Sequence, residues 1–267
     1  MKRSIIALLV FLSLHQFAQV NLMAYKTVFF QEAVYECEDY KLYLVRCFAR
    51  EEVLKIKIRV FNKTNDIIYV KPEAVEFVIN GKSLFGKGRP FTVQPNGDGD
   101  RIVDVIDKSM NMKCESFEVT LNGFYKIAYA GEAYIIPNTN LPAQKGSEVL
   151  AGPIKCTLKD NQLDAAKGFA KYSCSYAGDK IAILEPSKCV AIMSTGKENS
   201  CTVKKNAYIL ENGESDDMTI EFKALKGGGE LYTGIQVKWN ETFRTTNAIS
   251  LKTIKVPMKI DLDKSEK

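Results

Sequence analysis

Histidine is almost missing from this chain: among 267 residues only His15 carries an imidazole. That residue lies in the opening stretch MKRSIIALLVFLSLHQFAQV, where Lys2 and Arg3 form a basic head and Ile5 to Leu14 an apolar run. Small Ala18 then offers a cleavage point. This order reads as a secretory signal peptide over residues 1–18, its apolar run well short of the ~20 residues that a spanning helix needs. A mature chain cut there holds no imidazole. Ser-His-Asp and Cys-His nucleophilic sites, histidine acid/base work and every His-containing zinc site are thereby excluded.

Other shortages narrow the choice further. No later segment is apolar enough to span a bilayer, so no membrane span is expected after signal cleavage. No run of Lys and Arg interleaved with aromatics is present, and loss of Lys2 and Arg3 lowers the formal charge from +5 by two, so no nucleic-acid partner is expected. Helical periodicity is also lacking: DAAKGFAKY (164–172) is the nearest approach, and Gly168 and the alternation after it argue against more than one turn.

What the chain does have is alternation with period two, the signature of strands with one wet and one buried face. In LKIKIRV, Leu54, Ile56, Ile58 and Val60 share one face and Lys55, Lys57 and Arg59 the other; FAKYSCSY does the same with Ala170, Tyr172, Cys174 and Tyr176. Two longer segments then repeat one plan. NDIIYVKPEAVEFVING from Asn65 and GDKIAILEPSKCVAIMSTG from Gly178 both run Asp, apolar stretch, Pro, apolar stretch, Gly. Proline cannot donate to a ladder, so Pro72 and Pro186 mark a strand break or crossover in each. Pro95-Asn96-Gly97 before RIVDV matches Asn212-Gly213 before MTIEF, and Phe117/Val119/Leu121 match Ile235/Val237/Trp239.

These readings predict an all-β chain of two tandem antiparallel sandwiches made by internal duplication. The expected limits are a first domain at 19–136, a Pro-rich linker at 137–153, a second domain at 154–261 and a C-terminal tail at 262–267. The pattern of charged alternating strand, Asn-rich loop, strand-Pro-strand and Asn-Gly turn resembles the Ig-like β-sandwich domains of exported bacterial proteins. The resemblance implies a fold and transfers no functional residue, since the Cys…Trp…Cys core pattern is missing from the first half.

All seven cysteines lie beyond the leader, and in an exported protein they read first as disulfide material. Cys189 and Cys201 flank an expected hairpin, Cys156 with Cys174 is the remaining pair of the second half, and Cys37 with Cys47 is the equivalent in the first, leaving Cys114 alone. Four cysteines allow three connectivities, and reduced buried thiols are the alternative.

Three candidates remain: a calcium loop, a pair of carboxylates and an aromatic platform. NGDGDR places Asn96, Asp98 and Asp100 at alternate positions, a calcium-loop spacing, although Arg101 stands where such a loop needs Gly; an acidic hairpin turn is the plainer reading. Tyr125 and Tyr129 share a strand face and are candidates for a sugar-stacking platform, whereas Trp239 keeps phase with Ile235 and Val237 and is expected in the core. Gly227-Gly228-Gly229 precedes a strand, not a helix, and reads as a loop, not a phosphate cradle. The functional expectation is an exported, secreted or periplasmic, non-enzymatic protein that recognises a protein or glycan of the envelope or extracellular space by its surface. A carbohydrate-binding module using Tyr125 and Tyr129 is the alternative, and a histidine-free hydrolase with paired carboxylates the distant one.

Overall fold

The computed structural model describes residues 20–203, 207–224 and 231–267; the expected leader and Gly227-Gly228-Gly229 lie outside them. Strands dominate, all pairings are antiparallel, and the helical elements among the described residues are 3-10 turns of three residues. None is long and apolar enough to cross a membrane.

The alternation is realised residue by residue. In the strand Val53–Asn62, Leu54, Ile56, Ile58 and Val60 are buried while the charged residues between them face outward. The strand Lys167–Tyr176 buries Ala170, Tyr172, Cys174 and Tyr176, so the nearest approach to a helix is a strand. Two main cores result, one built from residues between Val28 and Phe124 with Met258, the other from residues between Leu141 and Phe243. Trp239 is 2% exposed in the second core, edge-on to Tyr172 at 5.6 Å, with its Nε1–H donated to Thr139 Oγ1.

The halves repeat one order of elements. Ile67–Val70, the turn Pro72–Ala74 and Glu76–Ile79 correspond to Ile181–Leu184, the turn Pro186–Lys188 and Val190–Ile192. Each proline thus opens a 3-10 turn that carries the chain from one sheet to another. Asp98–Ile106 corresponds to Ser215–Lys223, both outermost in their sheets. The Asn-Gly turns before them use left-handed backbone, at Asn96 (φ 54) and Gly213 (φ 80).

The expected limits need correction at two places. Residues 137–153 are not a free linker: Thr139–Leu141 pairs with Ile235–Lys238, and Glu148–Ala151 with Ile154–Leu163. Glu132–Ala133 already pairs with Phe243–Thr246. At the other end, Ile254–Glu266 belongs neither to the second half nor to a tail. It pairs with Ser116–Leu121 and then with Thr27–Phe30, and Ala248–Ser250 pairs with Phe124–Ile127. Each sandwich is therefore completed by the stretch that follows the last strand of the other. Leu141 opposite Ile235 and Met258 opposite Phe117 occupy the same place in the two cores, both at most 2% exposed.

The cysteines follow strand geometry. Cys156 and Cys174 face each other across one ladder and are bonded, as expected. The bridge spans 18 residues and contributes about 3 kcal/mol in a chain-entropy account. Cys37 and Cys47 are not bonded. Cys37 sits level with Tyr40, and the strand Tyr40–Ala49 carries Cys47 seven residues further, roughly 23 Å at a strand's rise. Cys189 and Cys201 do flank a hairpin, joined by a backbone hydrogen bond, but both are free thiols. The Cys189 thiol lies 3.2 Å from Thr242 Oγ1, and Cys201 Sγ accepts the Glu221 amide.

Two outcomes are expected. Alkylation of the denatured, unreduced protein labels five cysteines, by intact mass. Met258→Ala removes a side chain that fills the first core and costs about 2–5 kcal/mol. Because the halves share strands, the Trp239 fluorescence transition in the second core shifts together with the far-ultraviolet dichroism of the whole chain. A Trp239 transition that stays in place would show that the halves unfold separately.

Candidate functional site

The two sandwiches meet through sheets that are apolar on both faces. In the strand Ile67–Val70 all four residues are buried: Ile68 and Val70 face the first core, Ile67 and Tyr69 the seam. Ile181–Leu184 mirrors this, with Ala182 and Leu184 in the second core and Ile183 at the seam beside the partly buried Ile181. Ile127 and Ala207 complete the buried seam, flanked by Tyr125, Tyr129 and Ile209.

Tyr125 and Tyr129 do share a face, but it is the face that joins the halves, so they do not form an open sugar platform. The Tyr125 ring lies 6.4 Å from that of Tyr69, with the Lys71 ammonium over both and ion-paired across the seam to Glu211. The Tyr129 hydroxyl donates to Glu185 Oε1 at 2.7 Å, and the Arg244 guanidinium lies 4.7 Å from its ring centre. Arg244 Nη2 donates to Glu185 Oε2 at 2.5 Å, and both residues are buried. Burial, reinforced by the bond to Glu185, raises the Tyr129 phenol above its ordinary value. Burial, followed by the charge of Glu211, raises that of Tyr69.

Beyond Tyr69 and Ala207 the seam opens into a cleft of about 590 Å³. One wall carries Arg89, Pro90, Phe91, Thr92 and Arg101; the other carries Ala207–Leu210 and Glu214, Ser215 and Asp216. Its walls draw on four strands, Phe91–Val93, Asp98–Ile106, Tyr208–Leu210 and Ser215–Lys223. Each is the outermost strand of its sheet. Periodicity alone could not reveal this convergence, because a strand's rank in its sheet depends on distant pairings.

The calcium candidates are drawn apart. Successive outward side chains on a strand are roughly 6.6 Å apart along it, too spread to wrap one ion. Asp98 is held by Arg59 at 2.7 Å and Asp100 by Lys57 at 2.9 Å, while Asn96 donates to Asn65 Oδ1. With Lys55–Asp104 at 3.3 Å they form a cross-strand ladder of ion pairs. Among the described residues no group of three or more His, Cys, Asp and Glu side chains is placed to hold a metal. The acidic residues lining the cleft stand on one wall: Glu214 accepts the Glu211 amide and Asp216 that of Asp217. Among the described residues no carboxylate lining the arginine wall faces them, as a two-carboxylate hydrolase would require. The leftover Cys114 is buried, which pushes its thiol up to about 12, and burial lifts Cys47 and Cys189 as well. At neutral pH these are thiols, not nucleophilic thiolates.

No protein-family model and no curated protein matches the chain. Among solved structures, the crystal structure of the YadV chaperone aligns at 9% identity over 74% of this chain and 92% of that one, with a TM-score of 0.19. A score that low carries no argument about this chain.

The seam yields two predictions. Glu185→Ala strands a buried guanidinium and costs about 3–5 kcal/mol by denaturant unfolding, whereas Glu185→Ala with Arg244→Met, which removes both charges, costs less than the single change. Folded phenols at Tyr69 and Tyr129 hold their protons to higher pH than unfolded ones. Their contribution to stability is therefore complete below about pH 10 and lost as pH rises above it. Phenolate absorbance from these two residues then appears together with unfolding, and its appearance in the folded chain near pH 10 would refute the assignment.

Proposed function

We propose that this chain is an exported, non-enzymatic binding protein whose paired sandwiches, Ig-like in plan and derived from one duplicated unit, hold a protein partner in the cleft between them. The observation that supports this reading is the convergence of four outermost strands on that cleft. Outermost strands present unpaired amides and carbonyls, which natural folds usually cover or blunt, and a partner strand satisfies them directly. A fixed seam stands behind the cleft, so its walls need little reorganisation on binding. The cleft's Glu214 and Asp216 stand on one wall and accept backbone amides, which suits recognition better than bond-making, and the engagement of Tyr125 and Tyr129 in the seam favours a protein over a sugar.

The test is photo-crosslinking in the organism that makes the protein. Benzoylphenylalanine at Thr92 or Ser215, on opposite walls, is expected to capture one and the same identified protein, and the same group at exposed Lys159 to capture none. Equal capture from Lys159, or none from the walls, would overturn the reading. The intact mass of the exported product checks the cut after Ala18.

A further inference from the structure

Alternation along two of the outermost strands breaks where they reach the cleft, and it breaks with opposite signs on the two walls. On the strand Asp98–Ile106, Arg101 lies directly opposite Ile58; on Ser215–Lys223, Asp216 lies directly opposite Cys174. Ile58 belongs to the first core and Cys174 to the second, and residues opposite one another in a ladder share a face. Arg101 therefore continues the core-facing row of Val103 and Val105, and Asp216 that of Met218, Ile220 and Phe222, yet both are exposed. A charge in the buried phase of a strand is misplaced unless that phase has run out of core. Here it has, because both side chains line the cleft, with Arg89 beside one and Glu214 beside the other.

The outer faces of the same strands follow a different rule. Asp98, Asp100 and Asp104 are each paired with a cation of the neighbouring strand, and Asp217 and Glu221 likewise with Lys171 and Lys167. In the cleft the opposite charges do not join. No ion pair links Arg89 or Arg101 to a carboxylate among the described residues, and Arg101 rests 5.8 Å from the centre of the Phe91 ring. Glu214 Oε2 accepts the Glu211 amide at 2.8 Å, and no cation is paired with Glu214 among the described residues. The buried Tyr69, Phe91 and Leu210 line the same recess, so apolar surface accompanies the two charged walls.

An occupant of one charge sign would be drawn to one wall and repelled by the other. An extended chain sends successive side chains to opposite sides, so acidic and basic residues in alternation present one sign to each wall. Their methylene stems cover apolar surface while the charged ends reach outward. We infer that the cleft takes a segment of the partner protein in which acidic and basic residues alternate, its carboxylates on Arg89 and Arg101 and its cations on Glu214 and Asp216. The inference rests on the cleft being the recognition surface and specifies the charge pattern that enters it. Pairing with both walls fixes the segment's orientation, and repulsion by either wall rejects a segment of single sign.

The probe is a capped octapeptide of alternating Glu and Lys, titrated by fluorescence anisotropy against the mature chain. The expected result is saturable binding that weakens with added salt. A peptide of the same composition with its four Glu before its four Lys binds at least about tenfold more weakly, as do peptides alternating Glu with Ser or Lys with Ser. Glu214→Gln/Asp216→Asn keeps the oxygens that accept the backbone amides and removes both negative charges. That variant is expected to bind the Glu-Ser peptide at least about tenfold more tightly than the parent does, with matching dichroism. Equal binding of the alternating and block peptides, equal binding of a single-sign peptide by the parent, or no gain for the Glu-Ser peptide in the variant overturns the inference. Peptide failure together with positive crosslinks from Thr92 and Ser215 overturns this inference alone; failure of both overturns the binding role of the cleft as well.

Discussion

Burial of two four-residue strands on both of their faces is the constraint from which the arrangement follows. A strand in a lone sandwich needs one apolar face, and its other face meets water. Ile67–Val70 and Ile181–Leu184 have no polar face to offer, so each sandwich would leave an apolar surface in water if it stood alone. Laying the two surfaces together removes both from solvent. That contact fixes which sheets touch, places Tyr69, Tyr125 and Tyr129 at the seam, and leaves the cleft where the touching sheets end.

Strand exchange reinforces the seam. The stretch after Phe124–Ile127 completes the second sandwich, and the stretch after Phe243–Thr246 completes the first. Pulling the halves apart therefore means breaking ladder hydrogen bonds as well as exposing apolar area. The buried Glu185–Arg244 pair adds orientation more than stability. Its desolvation cost offsets much of its attraction, and the buried Arg244 Nε has no hydrogen-bond partner among the described residues, but a guanidinium held between the Glu185 carboxylate and the Tyr129 ring fits one relative placement of the halves.

Much of this was legible in the chain. Alternation in LKIKIRV and FAKYSCSY identified the core-facing residues, because a strand's period is a local property. The matching order of Pro72 with Pro186 and of the two Asn-Gly turns exposed the repeated plan for the same reason. IIYV and IAIL also carried the seam signal, as unbroken apolar runs where alternation was the rule, although such a run does not name its partner. The fate of Ile254–Glu266 was not legible. Its alternating Ile254, Val256 and Met258 would suit a place in either sandwich, and only the three-dimensional return of the chain selects the first. Tyr125 and Tyr129 were correctly put on one face, but whether that face meets water or another sheet is not written in the period.

The treatment of the outermost strands ties architecture to recognition. A long open edge is a liability in a β protein, since it pairs with whatever strand it meets. This chain fastens both long edges at equivalent places, through Lys87 on Asp104 and through the Cys201-Thr202 segment on Glu221, and it loads them with ion-paired charge. Past Lys87 the same segment stays beside the first of these edges: a side chain at Gly88 would meet the Ile102 carbonyl, and one at Gly99 the Thr92 carbonyl. Arg89 to Thr92 of that segment also form one wall of the cleft, so the stretch that shields the long edge and the stretch that shapes the recess are one piece of chain, and a change in either is felt by both.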